Sequence, residues 1–264
     1  MASETDVGLR FERAGAIASL TLDRAASGNA IDVHLARALM EAAIRCDEDE
    51  GIRCVVLRGS GRMFCAGGDI NEFGQAGENV PAYMKRITGY LHSAIARLAR
   101  MNKPLVTSIN GPAAGAGFSL AILGDIAIAS RSAHFTLAYS AIGLTPDGGA
   151  TWLLPRLVGL RLAQEIALTN RRIGADEAAA IGLVSRTVAD GELDKEVAAI
   201  AETLAASATS AVGTTRNLLL ESFTNSLETH MERESRAIAA ASRTPAGREG
   251  IAAFLAKRKP DFTQ

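Results

Sequence analysis

The chain has 264 residues, with 28 Lys and Arg against 29 Asp and Glu and a formal net charge of −1. Its 48% hydrophobic and 22% charged residues are typical of a globular protein that can bury a large core without disulfide or metal staples. Near-neutral charge and only 5% aromatic residues argue against nucleic acid as a partner, because phosphates need clustered positive charge and bases need stacking rings.

Residue types that build disulfides and metal sites are few and scattered. They are Cys46, Cys54, Cys65, His34, His92, His134 and His230. An odd number of cysteines without a C-x-x-C pair predicts free thiols in a reducing compartment. No metal-binding spacing occurs among them, so we expect no metal site. Residues 1–6 lack the basic and apolar regions of a signal peptide, and the prediction is a cytoplasmic protein.

The first part of the chain predicts strands that alternate with helices. Residues 7–13 and 16–22 alternate between apolar and polar and predict a hairpin around Gly15. Asp32 predicts the N-cap of a helix that ends at an acidic run near residue 47. The β-branched run at residues 52–57 predicts a buried strand, which a glycine-rich loop follows.

The same alternation continues with a helix over residues 83–100, a strand over 104–109, a helix near Gly115 and a strand over 125–129. This pattern predicts an α/β core with crossover connections. The uncharged stretch at 104–124 is long enough to span a bilayer. Its internal turn would leave backbone groups unsatisfied in lipid, so we expect no membrane span.

After Gly191 the pattern becomes purely helical. The four predicted helices cover residues 193–206, 211–223, 227–241 and 246–257. The change predicts two parts, a core of residues 1–191 and an all-helical C-terminal subdomain of residues 192–264.

Three segments have residues suited to chemistry, and the first follows the strand at 52–57. In residues 63–70, Gly67 and Gly68 let the backbone approach a ligand closely. For this first segment, a tight structural loop is the alternative.

The third segment is residues 143–152, where Asp147 lies in the apolar middle of the chain. It is either a helix cap or a functional base in an apolar site.

The second segment, residues 110–119, leads from a strand into a helix and is rich in small residues. Free N–H groups at such a helix start can bind a developing negative charge. Leu120 breaks a dinucleotide-binding G-x-G-x-x-G pattern. A degraded G-x-S-x-G around Ser119 leaves open a serine hydrolase that uses Ser119, Asp147 and His230.

Together and in this order, the segments resemble the crotonase superfamily of enoyl-CoA hydratases and isomerases. The resemblance rests on Leu20-Thr21-Leu22-Asp23-Arg24, residues 64–70, Asn110-Gly111, residues 143–149, 154–159, 180–184 and 254–258. It implies a ββα spiral core, a CoA thioester substrate, and C-terminal helices that pack subunits into homotrimers or dimers of trimers. No metal or redox cofactor is implied, because CoA enters as part of the substrate.

The resemblance also implies roles for individual residues. Backbone N–H groups of Gly68 and Ala116 would hold an enolate oxygen, where preorganised donors stabilise developing charge. Further acyl-CoA contacts are implied for Arg24 near the phosphates, for Ala66, Asp69 and Ile70 beside the adenine and pantetheine, and for Phe254 and Lys257, often from a neighbouring subunit.

Departures from the hydratase pattern favour an isomerase. Ser119 and Tyr139 stand where hydratases carry two glutamates, and neither can do carboxylate acid–base work. Asp147 falls where dienoyl-CoA isomerases and the ring-epoxide isomerase of phenylacetyl-CoA breakdown carry a catalytic aspartate. The context of Asp147 resembles the latter branch most. We therefore predict that Asp147 moves a proton on an acyl-CoA, while Ser119 and Tyr139 shape the acyl pocket or order a water.

Alternatives remain open at this stage. They are a hydratase with a single carboxylate, an enzyme whose aspartate attacks an aryl halide, a non-catalytic acyl-CoA-binding subunit and the serine hydrolase. The acyl group is also open between a straight fatty chain and an aromatic acetyl group, because the loop at residues 73–83 forms part of the pocket wall.

Overall fold

A computed structural model describes residues 8–263 of the chain. Val7, the segment 1–6 considered for a signal peptide, and Gln264 lie outside the described residues. The strands of the described part are β1 (Leu9–Ala14), β2 (Ile17–Leu22), β3 (Cys54–Gly59), β4 (Leu105–Ile109), β5 (Ala113–Ala114), β6 (Ile126–Ser130), β7 (His134–Thr136), β8 (Ile173–Gly174) and β9 (Arg186–Val188).

Eleven α-helices accompany these strands within residues 8–263. They are α1 (Val33–Glu48), α2 (Ile70–Ala76), α3 (Val80–Arg100), α4 (Ala116–Ala121), α5 (Ala150–Val158), α6 (Leu160–Thr169), α7 (Ala175–Ala180), α8 (Leu193–Ala205), α9 (Thr209–Glu221), α10 (Leu227–Ser242) and α11 (Pro245–Leu255). The predicted hairpin is confirmed from residue 9 onward, and Asp32 caps α1 by accepting a hydrogen bond from the N–H of Leu35 at 2.7 Å.

Six strands form the main sheet in the order β1-β2-β3-β4-β6-β9. The β1–β2 pair is antiparallel and the following pairs are parallel, with Leu20 opposite Leu57 and Leu57 opposite Thr107. One face packs with α1 and α3, and the other face, which includes Val56 and Val106, packs with α8. Burial on both faces explains why β3 begins with a continuous apolar run, Cys54 to Leu57, and why all five residues of β4 are buried.

A second, three-stranded sheet in the order β5-β7-β8 lies next to the start of α4. Sequence patterns did not predict it, because strands of two or three residues are too short to show a period of two. The same holds for β9, which has three residues. The helices α2, α5, α6 and α7 were not predicted either. The α/β class with an all-helical C-terminal part is confirmed.

The C-terminal helices divide by their packing. Leu193 and Val197 of α8 are buried against the main sheet, so α8 covers the core. Arg216 of α9 pairs with Asp125 at 2.7 Å and donates to the carbonyl of Leu98 at the end of α3 at 3.1 Å. These contacts join α9 to the core. That residues 192–264 act as one oligomerisation unit stays a prediction.

Within residues 8–263, no single helix is both long and apolar enough to cross a membrane. One bent pair, Asp190–Ala205 with Thr209–Glu221, passes that test by length and composition only.

Candidate active site

An apolar cavity of about 370 Å³ lies where the loop after β3 meets the start of α4. The side chains on its apolar wall come from α3 and from the segment before α5. They include Met84, Ile87, Leu91, Ile142 and Leu144. Of the described residues that line the cavity, Asp147 is the only one with a carboxyl group. A single carboxylate therefore faces an otherwise apolar space.

Two free backbone donors lie on the wall of this cavity. Neither the N–H of Gly68 nor that of Ala116 has a hydrogen-bond acceptor among residues 8–263, and both residues line the space. A pair of unpaired N–H groups in an apolar site is suited to bind an oxyanion, because a hydrogen bond to a charge is stronger in apolar surroundings. This is the arrangement that the sequence predicts for Gly68 and Ala116.

The two N–H groups lie on two loops, a first donor loop of residues 65–68 and a second donor loop of residues 113–116. The backbones of these loops are in direct contact. Gly67 has a φ of +101°, and a Cβ there would lie 2.9 Å from the carbonyl oxygen of Ala114. A Cβ on Gly115, whose φ is +54°, would lie 3.5 Å from the Cα of Gly67. A side chain on Gly67 would push the loops apart.

Main-chain hydrogen bonds hold the first donor loop in place. Ile31 N–H donates to the carbonyl of Gly67 at 2.7 Å, and Asp69 N–H donates to the carbonyl of Ile31 at 2.9 Å. The second loop is tied to the first, because the N–H of Ala114 donates to the carbonyl of Cys65 at 2.9 Å. The residues on both sides of Gly68 are thus fixed before any ligand binds.

The Asp147 carboxylate is held by two side chains. The hydroxyl of Tyr139 donates to Oδ1 at 2.5 Å, and Nε2 of His92 lies 3.0 Å from Oδ2. The side chain of Asp147 is 26% exposed. Gly149 is the N-cap residue of α5 and no side chain caps that helix, which removes the alternative that Asp147 is a helix cap.

Tyr139 is a neutral hydrogen-bond donor in this site. Burial and the neighbouring Asp147 carboxylate both raise the pKa of the Tyr139 phenol above its ordinary value. Ala138 precedes it with a φ of +63°, a left-handed conformation that costs a non-glycine residue roughly 1–2 kcal/mol. This strained residue therefore lies at the cavity wall, next to the phenol that donates a hydrogen bond to Asp147.

His92 is a residue that the sequence analysis missed. Besides its contact with Asp147, its Nε2 lies 3.2 Å from the N–H of Gly148. One signal was present in the sequence. His92 lies four positions after Thr88 on α3, and a helix brings residues four apart to the same side. Nothing in the spacing alone linked that side to Asp147.

Ser119 lies behind Asp147 and does not line the cavity. Its side chain is buried, and its hydroxyl donates to the carbonyl oxygen of Asp147 at 2.9 Å. His230 contacts Asn225 and Glu234 instead. The serine hydrolase arrangement of Ser119 with His230 and the Asp147 carboxylate is therefore not assembled.

Arg24 lies beside the first donor loop and forms ion pairs with two carboxylates. Its guanidinium is 3.1 Å from Asp32 and 3.2 Å from Asp69, and it also donates to the carbonyl of Ala30. Asp69 in turn accepts from the N–H of Asn71 and caps α2. The predicted contact of Arg24 with CoA phosphates stays a prediction, and in this structure two carboxylates already neutralise its charge.

The remaining predicted residues fall into two groups. Ala66 and Ile70 line the cavity. Phe254 and Lys257 are exposed at the end of α11 and are not among its lining residues; the Phe254 side chain is 83% exposed. Within residues 8–263, no group of three His, Cys, Asp or Glu residues is arranged to hold a metal ion.

Comparisons with known proteins show the family of the chain. The family model described as enoyl-CoA hydratase/isomerase matches residues 12–264. The chain is 37% identical to 1,2-epoxyphenylacetyl-CoA isomerase of Escherichia coli (strain K12), over 94% of this chain and 95% of the relative. It is 34% identical to 4-chlorobenzoyl coenzyme A dehalogenase-2 of Arthrobacter sp, over 97% and 94%. A crystal structure of an enoyl-CoA hydratase from Polaromonas sp. JS666 matches with a TM-score of 0.91 and 33% identity, over 96% and 98%.

Proposed function

Because the chain belongs to the enoyl-CoA hydratase/isomerase family, we propose that it is an acyl-CoA isomerase that moves a proton or a double bond on a CoA thioester. The observation that carries this proposal is the pair of N–H groups of Gly68 and Ala116, free of acceptors among residues 8–263, in a cavity where Asp147 is the one carboxylate among the described lining residues. The Escherichia coli relative is named as an isomerase of an acyl-CoA.

The proposed reaction needs one base and one oxyanion site. The Asp147 carboxylate takes a proton from a carbon of the acyl chain, and the electron pair moves toward the thioester carbonyl. The N–H groups of Gly68 and Ala116 hold the enolate oxygen that forms. Protonated Asp147 then returns a proton to a different carbon, which completes the isomerisation without adding atoms.

The geometry gives less support to a hydratase. Water addition in this family uses two glutamates, whose positions hold Ser119 and Tyr139 in this chain. The hydroxyl of Ser119 is engaged with the Asp147 backbone, and the Tyr139 phenol stays neutral because its pKa is raised. Asp147 alone would have to activate the water and protonate the enolate.

Heavy-water incubation with a panel of enoyl-, dienoyl- and arylacetyl-CoA esters tests the proposal. We expect deuterium uptake or double-bond movement without gain of a water, and loss of both in Asp147→Asn. Asp194→Asn is the matched control, because Asp194 forms an exposed pair with Arg58 at the start of α8. A product heavier by one water would establish the hydratase, and CoA-ester binding without any exchange would favour a binding subunit.

A second candidate follows from the contact between His92 and Asp147. The Asp147 carboxylate could attack a halogen-bearing ring carbon of an aryl-CoA, releasing halide and forming an aryl ester. His92, 3.0 Å from Asp147, is placed to deprotonate a water that hydrolyses this ester and restores the carboxylate. The Arthrobacter relative carries such an activity in its name. Halide release from 4-halobenzoyl-CoA, measured directly, decides between the two candidates.

We also propose that copies of this chain assemble, as a homotrimer or a dimer of trimers. Large apolar side chains of α9, α10 and α11 are exposed in the single chain: Leu219, Leu227, Met231, Ile238, Ile251, Phe254 and Leu255. Apolar patches of this kind mark interfaces. In the assembly, Phe254 and Lys257 would approach the acyl-CoA of a neighbouring copy, beside Ala66, Asp69 and Ile70. Light scattering should give a mass of three or six chains, and a lower mass for Ile238→Asp; a monomeric wild-type protein contradicts this.

A further inference from the structure

His92 has one nitrogen in contact with two polar groups that make opposite demands on it. Nε2 lies 3.0 Å from Oδ2 of Asp147 and 3.2 Å from the backbone nitrogen of Gly148. Resting on the isomerase proposed above, we infer that His92 passes the proton of Asp147 to and from solvent. In a fraction of turnovers, the proton that the enzyme delivers to the substrate would then come from water instead of from the substrate itself.

The two contacts cannot both be hydrogen bonds while Asp147 is ionised. An imidazole nitrogen carries either a hydrogen or a lone pair. The N–H of Gly148 needs the lone pair on Nε2, whereas the Asp147 carboxylate needs the hydrogen. When Asp147 is protonated, the lone pair can accept from both neighbours. Each protonation state of Asp147 therefore favours a different tautomer of His92.

This coupling gives the proton a balanced path. Protonated Asp147 gives its proton from Oδ2 to Nε2, which makes His92 a cation. The cation then loses the hydrogen on Nδ1 to water and is left neutral, with the hydrogen on Nε2. Asp147 is again a carboxylate. In reverse, water protonates Nδ1 and Nε2 returns its proton to Asp147, so a solvent proton reaches the substrate.

The surroundings favour His92 over Tyr139 as the route to water. The His92 side chain is 49% exposed, and no group among residues 8–263 bonds to its Nδ1. Tyr139 faces the other carboxylate oxygen as a donor, and its pKa is raised by burial and by Asp147. Tyr139 holds Asp147 in place, and His92 acts through Asp147 as a positioning and relay residue.

Deuterium incorporated per turnover in heavy water is the first test, made on the isomerase reaction of the full chain. His92→Gln keeps a polar group on α3 but has no second nitrogen to release a proton. We expect at least about a fivefold fall in deuterium per turnover, with turnover itself reduced less, because internal transfer by Asp147 persists. A merely structural role would lower turnover and leave the deuterium per turnover unchanged, which would overturn the inference.

Two controls separate the relay from other effects. His134→Gln makes the same change at a histidine that accepts a hydrogen bond from Arg172 and does not contact Asp147. Turnover and deuterium per turnover should both stay at wild-type values. Tyr139→Phe should lower turnover while deuterium per turnover stays high. A fall of deuterium per turnover in either control would also overturn the inference.

A measurement that needs no turnover tests the proton relay of His92 independently of the proposed isomerase activity. Nitrogen-15 NMR of histidine-labelled protein reports which ring nitrogen carries the hydrogen. We expect the hydrogen of His92 on Nε2 in the wild type, opposite ionised Asp147, and on Nδ1 in Asp147→Asn. The same tautomer in both proteins refutes the relay even if the isomerase is active. The expected tautomers without isomerisation of any ester refute the isomerase alone.

Discussion

The two halves of the cavity use different chemical groups, backbone N–H groups in one half and side chains in the other. The donor half, residues 65–68 and 113–116, presents backbone N–H groups and is held by backbone hydrogen bonds. The acid–base half consists of three side chains, His92 from α3 and Tyr139 and Asp147 from the segment between β7 and α5. The donor half depends on the absence of side-chain atoms, whereas the acid–base half depends on polar atoms that meet at hydrogen-bond distance. Different substitutions should therefore break each half.

The largest effect is expected in the donor half, from Gly67→Ala. A methyl group there would lie 2.9 Å from the carbonyl of Ala114, at a φ that L residues rarely adopt, and would separate the two loops. Loss of one oxyanion donor lowers kcat by about 10²–10³-fold, and we expect a loss in that range. Steady-state turnover and thermal unfolding should be measured together.

Gly89→Ala is the matched control for this change. Gly89 lies within α3, and a Cβ there meets open space. Turnover should be unchanged, and the variant should be more stable by about 0.5–1 kcal/mol, because alanine favours the helix. Normal turnover of Gly67→Ala would show that the donor half tolerates a side chain, and would remove the steric part of the comparison.

In the acid–base half, Tyr139→Phe should lower kcat by about 10–100-fold with KM for the CoA ester unchanged, since a hydrogen bond to a charged group contributes about 1.5–3 kcal/mol. Steady-state kinetics on the ester that the wild type isomerises measures this split. Tyr83→Phe removes a buried hydroxyl that makes no hydrogen bond to Asp147, so its kinetics should match the wild type. Equal effects of the two substitutions would mean that the Tyr139–Asp147 bond does not matter for turnover.

Arg24→Lys sharpens the comparison with a smaller expected effect. Arg24 joins Asp69, the neighbour of Gly68, to Asp32 at the start of α1. Lysine keeps the charge but cannot make all these contacts. We expect kcat to fall about 3–10-fold, equal to about 1 kcal/mol, while KM for the CoA ester is unchanged. A higher KM with normal kcat would instead identify Arg24 as a phosphate contact.

The smallest effect is expected from thiol reagents at pH 8. Burial raises the pKa of Cys46, Cys54 and Cys65 to about 12 each, so about one thiol in 10⁴ is ionised at that pH. The folded protein should show no labelling and no loss of turnover over minutes, and should release three thiols after unfolding. Fast labelling of Cys65 would show that the donor half opens in solution.

Sequence reasoning predicted the two halves unequally. Glycine-rich and small-residue loops after strands are visible in one dimension, and the family resemblance then pointed to Gly68 and Ala116 within them. Sequence reasoning named Asp147 but left Tyr139 and Ser119 between pocket lining and water ordering. In the structure, Tyr139 bonds to the Asp147 carboxylate, whereas Ser119 is buried behind it. Residue type alone could not separate these two hydroxyls, because burial and direction decide their roles.

By itself, the sequence determined the alternation of strands and helices, the four late helices and the resemblance that names the family, because periodicity and motifs are local properties. Only the tertiary structure decided that His92 meets Asp147 across 55 positions of the chain and that Arg24 is occupied by Asp32 and Asp69. Such contacts depend on how α3 lies over the sheet and how closely two loops approach. These placements follow from the packing of the whole core, which no local pattern encodes.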